Sequence, residues 1–143
     1  MTDFGRGIKA GVIAGLIYGV VWGVLVFALP WIFFGAFWPD PIFQAAWLLV
    51  APMVLITTVI AGIIGGLIRG LIFAAAYDVM PTDSSYIKSY ILSIIFWLVF
   101  SVALNIAYIG DPVYLGSSFV FSVIIFGTFM AFLWEAFAPP ATK

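Results

Sequence analysis

Charged residues are so sparse along this chain that their positions alone divide it. Thirty uncharged residues separate Lys9 from Asp40, 28 separate Asp40 from Arg69, 22 separate Lys88 from Asp111 and 23 separate Asp111 from Glu135. A helix needs about 20 apolar residues to cross ~30 Å of hydrocarbon, so each run accommodates one crossing and none comfortably holds two. The pattern predicts an all-α integral membrane four-helix bundle, a single domain over 1–143, with spans near 8–29, 52–77, 87–107 and 116–137. Ser84 or Ser85 is the expected N-cap of the third span.

The connection between the first two spans is unusual. Pro30-Trp31 and Pro39-Asp40-Pro41 predict a turn out of the bilayer. The intervening stretch, Trp31 to Trp38, is too aromatic for a solvated loop and suits the headgroup boundary, where a ring is apolar and its polar edge stays wet. Residues 31–51 are therefore expected to form an interfacial or re-entrant segment that enters the second span at Pro52. One long helix from about Ile42 to Tyr77, kinked at Pro52, is the competing reading. Tyr108 and Tyr114 bracket the second outer loop, and Tyr77, Tyr86, Tyr90 and Trp134 make the inner belt.

Composition strengthens the membrane assignment. The chain is 66% hydrophobic and 8% charged, with a mean hydropathy of +1.28. A water-soluble domain carries about 25% charge to hydrate its surface. With the amino terminus inside, all five basic residues (Arg6, Lys9, Arg69, Lys88 and Lys143) fall on one side, and the outer connections carry only Asp40 and Asp111. The positive-inside rule then predicts a multi-pass protein of the cell membrane with both termini cytoplasmic. The apolar stretch of the first span exceeds the 7–15 residues of a signal-peptide core, so it is expected to be a retained span.

The absence of Cys and His removes disulfides, thiol chemistry, Cys/His zinc sites, the usual haem ligands and a His general base. Asp78 and Asp83 fall far short of a calcium-site signature. No cofactor and no catalytic constellation are expected, and a net charge of -1 implies no nucleic-acid partner.

The small residues carry a mechanism. Gly7, Gly11, Gly15, Gly19 and Gly23 follow one another at four-residue spacing, as do Thr58, Gly62, Gly66, Gly70 and Ala74 in the second span. Residues four apart share a helix face. Burying apolar surface against apolar lipid gains nothing, so helices in a bilayer associate by close packing that small residues permit. Because the two spans run in opposite directions, both rows occupy the cytoplasmic half. They predict an antiparallel glycine-zipper contact, closest near Gly15 and Gly66. Ser89, Ser93, Trp97, Ser101 and Asn105 form a third row, expected either to bond neighbouring helices or, through Ser93, Ser101 and Asn105, to line a polar path. Ser118 and Ser122, then Gly127 and Ala131, form a similar but less regular face on the last span.

Arg69 lies 17 residues beyond Pro52, about 25 Å at 1.5 Å per residue. That depth is near the inner boundary, within snorkelling reach of water and at a level comparable with Glu135. A simple interfacial role is therefore expected, and an Arg69–Glu135 ion pair is the functional alternative. The function expected from these features is a non-catalytic structural or accessory subunit. Its expected partners are membrane lipids and either copies of itself, as a homo-oligomer, or other membrane subunits. The alternative is a small oligomeric channel or transporter for an ion or small solute.

Overall fold

Apolar side chains at every phase of the helical repeat favour helices that bury all their backbone polar groups internally, the only open-chain solution in lipid. The computed structural model, which describes residues 3–34 and 41–140, is helical throughout its regular structure. It comprises α1 (Phe4–Phe34), α2 (Pro41–Ala76), α3 (Ser85–Ala103) and α4 (Pro112–Ala136). Each contains a stretch long and apolar enough to cross a membrane. Ser84 caps α3 by accepting from the Ile87 N–H, and Asp111 caps α4 by accepting from the Val113 N–H at 2.9 Å.

The connection between α1 and α2 differs from the interfacial or re-entrant segment expected over 31–51. Helix α1 runs through Pro30 to Phe34, and α2 begins at Pro41 and runs through Pro52, so the long-helix alternative describes the second element. Residues 35–40, including Phe37, Trp38, Pro39 and Asp40, lie outside the described residues, as does Lys143. The physical reason is that a proline removes one helical hydrogen bond, whereas unwinding the helix in lipid leaves several backbone groups unsatisfied, each costing several kcal/mol. Just past Pro52 the hydroxyls of Thr57 and Thr58 donate back to the carbonyls of Met53 and Leu55 at 2.8 and 2.9 Å, which keeps these polar groups satisfied inside the helix.

Helices α1 and α2 pack along one another far more closely than any other pair. The side on which a Cβ of Gly7, Gly11, Gly15 or Gly19 would project is occupied by the carbonyl oxygen of Gly70, Gly66, Gly62 or Thr58. The relation is reciprocal: Gly62, Gly66 and Gly70 face the carbonyls of Gly15, Gly11 and Gly7. Paired residue numbers therefore sum to 77 along the whole seam. Gly15 and Gly66 also touch, since a Cβ on Gly66 would lie 2.7 Å from the Gly15 Cα. Backbones this close allow Cα–H groups to contact carbonyls across the seam, each contact contributing about 0.5–1 kcal/mol. Gly23, at the far end, abuts Leu55 and the Thr58 hydroxyl instead.

The remaining helices add to this pair in the order α2–α1–α4–α3. Helix α1 packs on α4, and α3 packs on α4, while α2 reaches α3 and α4 chiefly through side chains. Each helix of the seam therefore carries a second four-residue row beside its glycines. On α1 it is Ala10, Ala14, Tyr18 and Trp22, with Ala10 and Ala14 fully buried and the two aromatic rings set edge-on to Phe126 and Phe121. On α2 it is Ala61, Gly65, Arg69 and Phe73, continued by Tyr77 in the turn just past the helix. A further row, Ile56, Ile60, Ile64, Ile68 and Ile72, is exposed along the outer face of α2. Such a long apolar surface is unsuited to water and suited to acyl chains.

Gly65 and Gly66 are neighbours with opposite surroundings, which generates a test of the seam. A Cβ on Gly65 meets nothing within 4 Å, whereas one on Gly66 runs into the Gly11 carbonyl. Gly65→Ala is expected to leave stability unchanged or raise it by up to about 1 kcal/mol through helix propensity. Gly66→Ala is expected to cost at least about 3 kcal/mol, the upper end for overpacking, because backbone must move. Unfolding of the two variants in mild detergent measures the difference, and equal stabilities would rule out the seam.

Candidate functional site

The second rows of α1 and α2 meet at a cavity of about 280 Å³, partly open, between α2 and α4. The floor is α1, which contributes Tyr18 and Trp22, and Phe126 of α4 forms the opposite wall. The α2 wall is nearly without side chains, being built from Ala61, Gly62, Gly65 and Gly66, with Thr58 at one end and Arg69 at the other. The cavity exists because small residues, Ala61 and Gly65, occupy the first part of the α2 row. Farther along the same row, Phe73 and Tyr77 fill the gap, packing edge-on and tilted against Trp134 at 5.1 and 4.7 Å between centroids.

Among the described residues, Arg69 is the only charged side chain lining this cavity. Its guanidinium carbon lies 4.6 Å from the centre of the Phe126 ring and 5.2 Å from that of Phe96. Both rings are buried. Cation–π contacts of this kind are worth about 2 kcal/mol when desolvated. They do not satisfy the five N–H donors, and Arg69 makes no ion pair or hydrogen bond among the described residues. The Arg69–Glu135 ion pair is not formed here: Glu135 is exposed on α4, while Arg69 lies against Phe126 of α4 and Phe96 of α3. Similar depth does not specify the same azimuth around the bundle, and the two side chains differ in it.

The other basic residues at this end have partners. Arg6 donates from Nε to the Trp134 carbonyl and lies 4.2 Å from the centre of its ring. Buried Lys88 donates to the Tyr77 carbonyl at 2.6 Å and lies 3.8 Å from that ring. Both cations thus neutralise carbonyls at helix C-termini, where the helix dipole favours positive charge. The Tyr77 hydroxyl and Ser85 hydroxyl are 2.7 Å apart, tying the end of α2 to the start of α3.

The serine row of α3 is engaged with α4. Ser89 donates to the Gly127 carbonyl at 2.7 Å, Ser93 is buried beside Gly127, and the Trp97 indole donates to the Ser118 hydroxyl at 2.9 Å. The Ser101 carbonyl accepts from the Tyr114 hydroxyl at 3.1 Å, and Asn105 donates to the Phe100 carbonyl at 2.6 Å. None of Ser93, Ser101 and Asn105 lines the cavity.

Two π-helical stretches, Trp97–Ala103 in α3 and Val120–Ile125 in α4, account for how these rows stay aligned. A four-residue step overshoots a full α turn by about 40°. It falls short of a wider π turn, so passing into π geometry returns the row to its original side. In α4 the small-residue row slips from steps of four to a step of five between Ser122 and Gly127, inside and just past the π stretch.

Tyr18, Trp22, Gly65 and Phe126 were not singled out by sequence reasoning. Gly65 had a readable signal, as a glycine one position off the four-residue row. Tyr18 and Trp22 had a weaker one in their spacing from Ala10 and Ala14. Comparison with protein-family models, curated proteins and solved structures found no match.

The unpaired state of Arg69 leads to an expectation about stability. Arg69→Met keeps the stem volume and removes an uncompensated charge, and is expected to stabilise the protein in detergent by about 1 kcal/mol, as is common when a functional liability is relieved. Glu135→Gln is expected to leave stability within about 0.5 kcal/mol of the parent, as surface substitutions do. Thermal unfolding measures both, and destabilisation by each single change would restore the ion pair.

Proposed function

We propose that this protein is a small polytopic membrane protein with both termini on the cytoplasmic side. It acts as a non-catalytic structural or accessory subunit whose helices lock through a glycine zipper. The observation that carries this reading is the α1–α2 seam, in which seven backbone positions approach a partner carbonyl with no side chain between them. Such a seam serves rigidity and close association, and the polar groups of α3 and α4 support the same reading because they bond to each other. The expected partners are lipids and other membrane helices, either copies of this chain or different subunits. The exposed isoleucine row of α2 supplies a face of suitable chemistry. The cytoplasmic assignment follows from Arg6, Lys9 and Lys88, which belong to the end of the bundle where α1 and α3 begin.

Two measurements test the proposal. The chain lacks cysteine, so Gly110→Cys and Thr142→Cys report topology through a membrane-impermeant maleimide. Gly110→Cys is expected to label on intact cells and Thr142→Cys only after permeabilisation, and the reverse pattern would invert the orientation. Purification in mild detergent followed by intact-mass analysis is expected to recover a stable assembly with other membrane subunits or with copies of the chain. A lone homo-oligomer that conducts ions in liposomes would replace the subunit reading with the channel or transporter reading.

A further inference from the structure

We propose that the cavity beside Arg69 is a binding site for one oxyanion-headed amphiphile, whose carboxylate or phosphate lies on Arg69 and Tyr18 and whose apolar part lies against Trp22, Ala61 and Gly65. Four features of the site argue for this. A guanidinium remains charged in any protein environment, so its charge must be balanced by a counter-charge rather than lost. Half-buried Arg6 and buried Lys88 each have a carbonyl partner at a helix end, whereas half-buried Arg69 has only two aromatic rings. Those rings hold the side chain in place without using its N–H donors, which leaves the planar fork that recognises an oxyanion through two parallel bonds.

The second donor is Tyr18. It lines the same cavity as Arg69, and its hydroxyl makes no hydrogen bond among the described residues. The third feature is Gly65. It contributes nothing to the α1–α2 seam, because a Cβ there would meet only open space, and helix propensity disfavours glycine relative to alanine. Glycine at this position keeps the cavity wall bare.

The fourth is access. Ala61 is exposed and Gly65 half-buried, next to the exposed Ile64 and Ile68, so the cavity communicates with the apolar outer face of α2. An amphiphile can enter there from the side, head first to Arg69, with its chain remaining in an apolar setting. At about 280 Å³ the cavity is near the lower end of ligand pockets and takes a headgroup or a short acid rather than a whole lipid.

The oxyanion has two sources, a phospholipid headgroup or a free acid, and the experiment separates them. The full-length protein in a neutral maltoside detergent is titrated with dioctanoyl phosphatidylglycerol, with decanoate and with inorganic phosphate, and binding is read by native mass spectrometry and thermal shift. Saturable one-to-one binding of phosphatidylglycerol or decanoate is expected. Phosphatidylglycerol alone identifies a lipid site and decanoate alone a free-acid site. Binding of inorganic phosphate alone would show an anion site with no apolar subsite and overturn the amphiphile. Arg69→Gln is expected to weaken binding at least tenfold, Arg69→Lys by less, and Tyr18→Phe two- to fivefold. Gly65→Phe, which fills the cavity without touching the seam or the charge, is expected to abolish binding while the protein keeps its detergent-gel-filtration profile and helical circular dichroism. Glu135→Gln is expected to bind as the parent does. Failure of the parent to bind any probe, or undiminished binding by both Arg69→Gln and Gly65→Phe, overturns the proposal. This site is separable from the subunit reading, because either can hold if the other fails.

Discussion

The bundle depends on the contact between bare backbone on α1 and bare backbone on α2. Where a soluble protein would join two helices by burying large side chains, this pair sets glycine against the carbonyl of a facing residue, repeatedly and in both directions. In an apolar solvent the burial of apolar surface supplies little preference for one helix partner over lipid, so close approach and weak Cα–H contacts must do so. The constant register fixes the relative height and rotation of both helices at once. Everything that faces α3 and α4 follows from that rotation, because the neighbouring rows of α1 and α2 then point the same way.

The second consequence is a division of labour along one helix. The row Ala61, Gly65, Arg69, Phe73 and Tyr77 begins small, passes through a cation and ends in large rings. The rings close the end of the bundle around Trp134 where α1 and α3 begin, together with Arg6 and Lys88. The small residues leave the cavity, and Arg69 stands where one regime changes to the other. An arginine held by two aromatic faces is positioned without being neutralised, which separates orientation from charge compensation.

The pair α3–α4 is built on different chemistry. Its seam is made of hydroxyl, indole and phenol groups directed at carbonyls and hydroxyls of the facing helix. Hydrogen bonds of this sort contribute on average only about 0.6 kcal/mol each in lipid, yet they specify direction in a way that dispersion does not. Both helices change to π geometry on the same half of the molecule, and the wider turn keeps the bonding groups opposed. The seam therefore tolerates a departure from α geometry that a glycine row, dependent on a strict repeat of four, would not.

Length, apolarity and the placement of eleven charges are properties of the chain itself, and they suffice to read four helices able to cross a membrane. Spacing is also a local property, which is why the rows of glycine and serine can be seen before any fold is known. What spacing does not contain is azimuth and register. Nothing in the sequence says that Gly15 faces the carbonyl of Gly62, or that Gly65 faces a cavity while Gly66 faces a helix. The continuation of α1 and α2 through Pro30 and Pro52 was obscured for a related reason. The penalty for proline is local and visible, whereas the greater penalty for an unwound backbone depends on the solvent around it. The same holds for Arg69. Sequence gives its depth, but only the packed helices decide that it turns toward Phe126 and Phe96 and away from Glu135, because that choice is made by the rotation the glycine seam imposes.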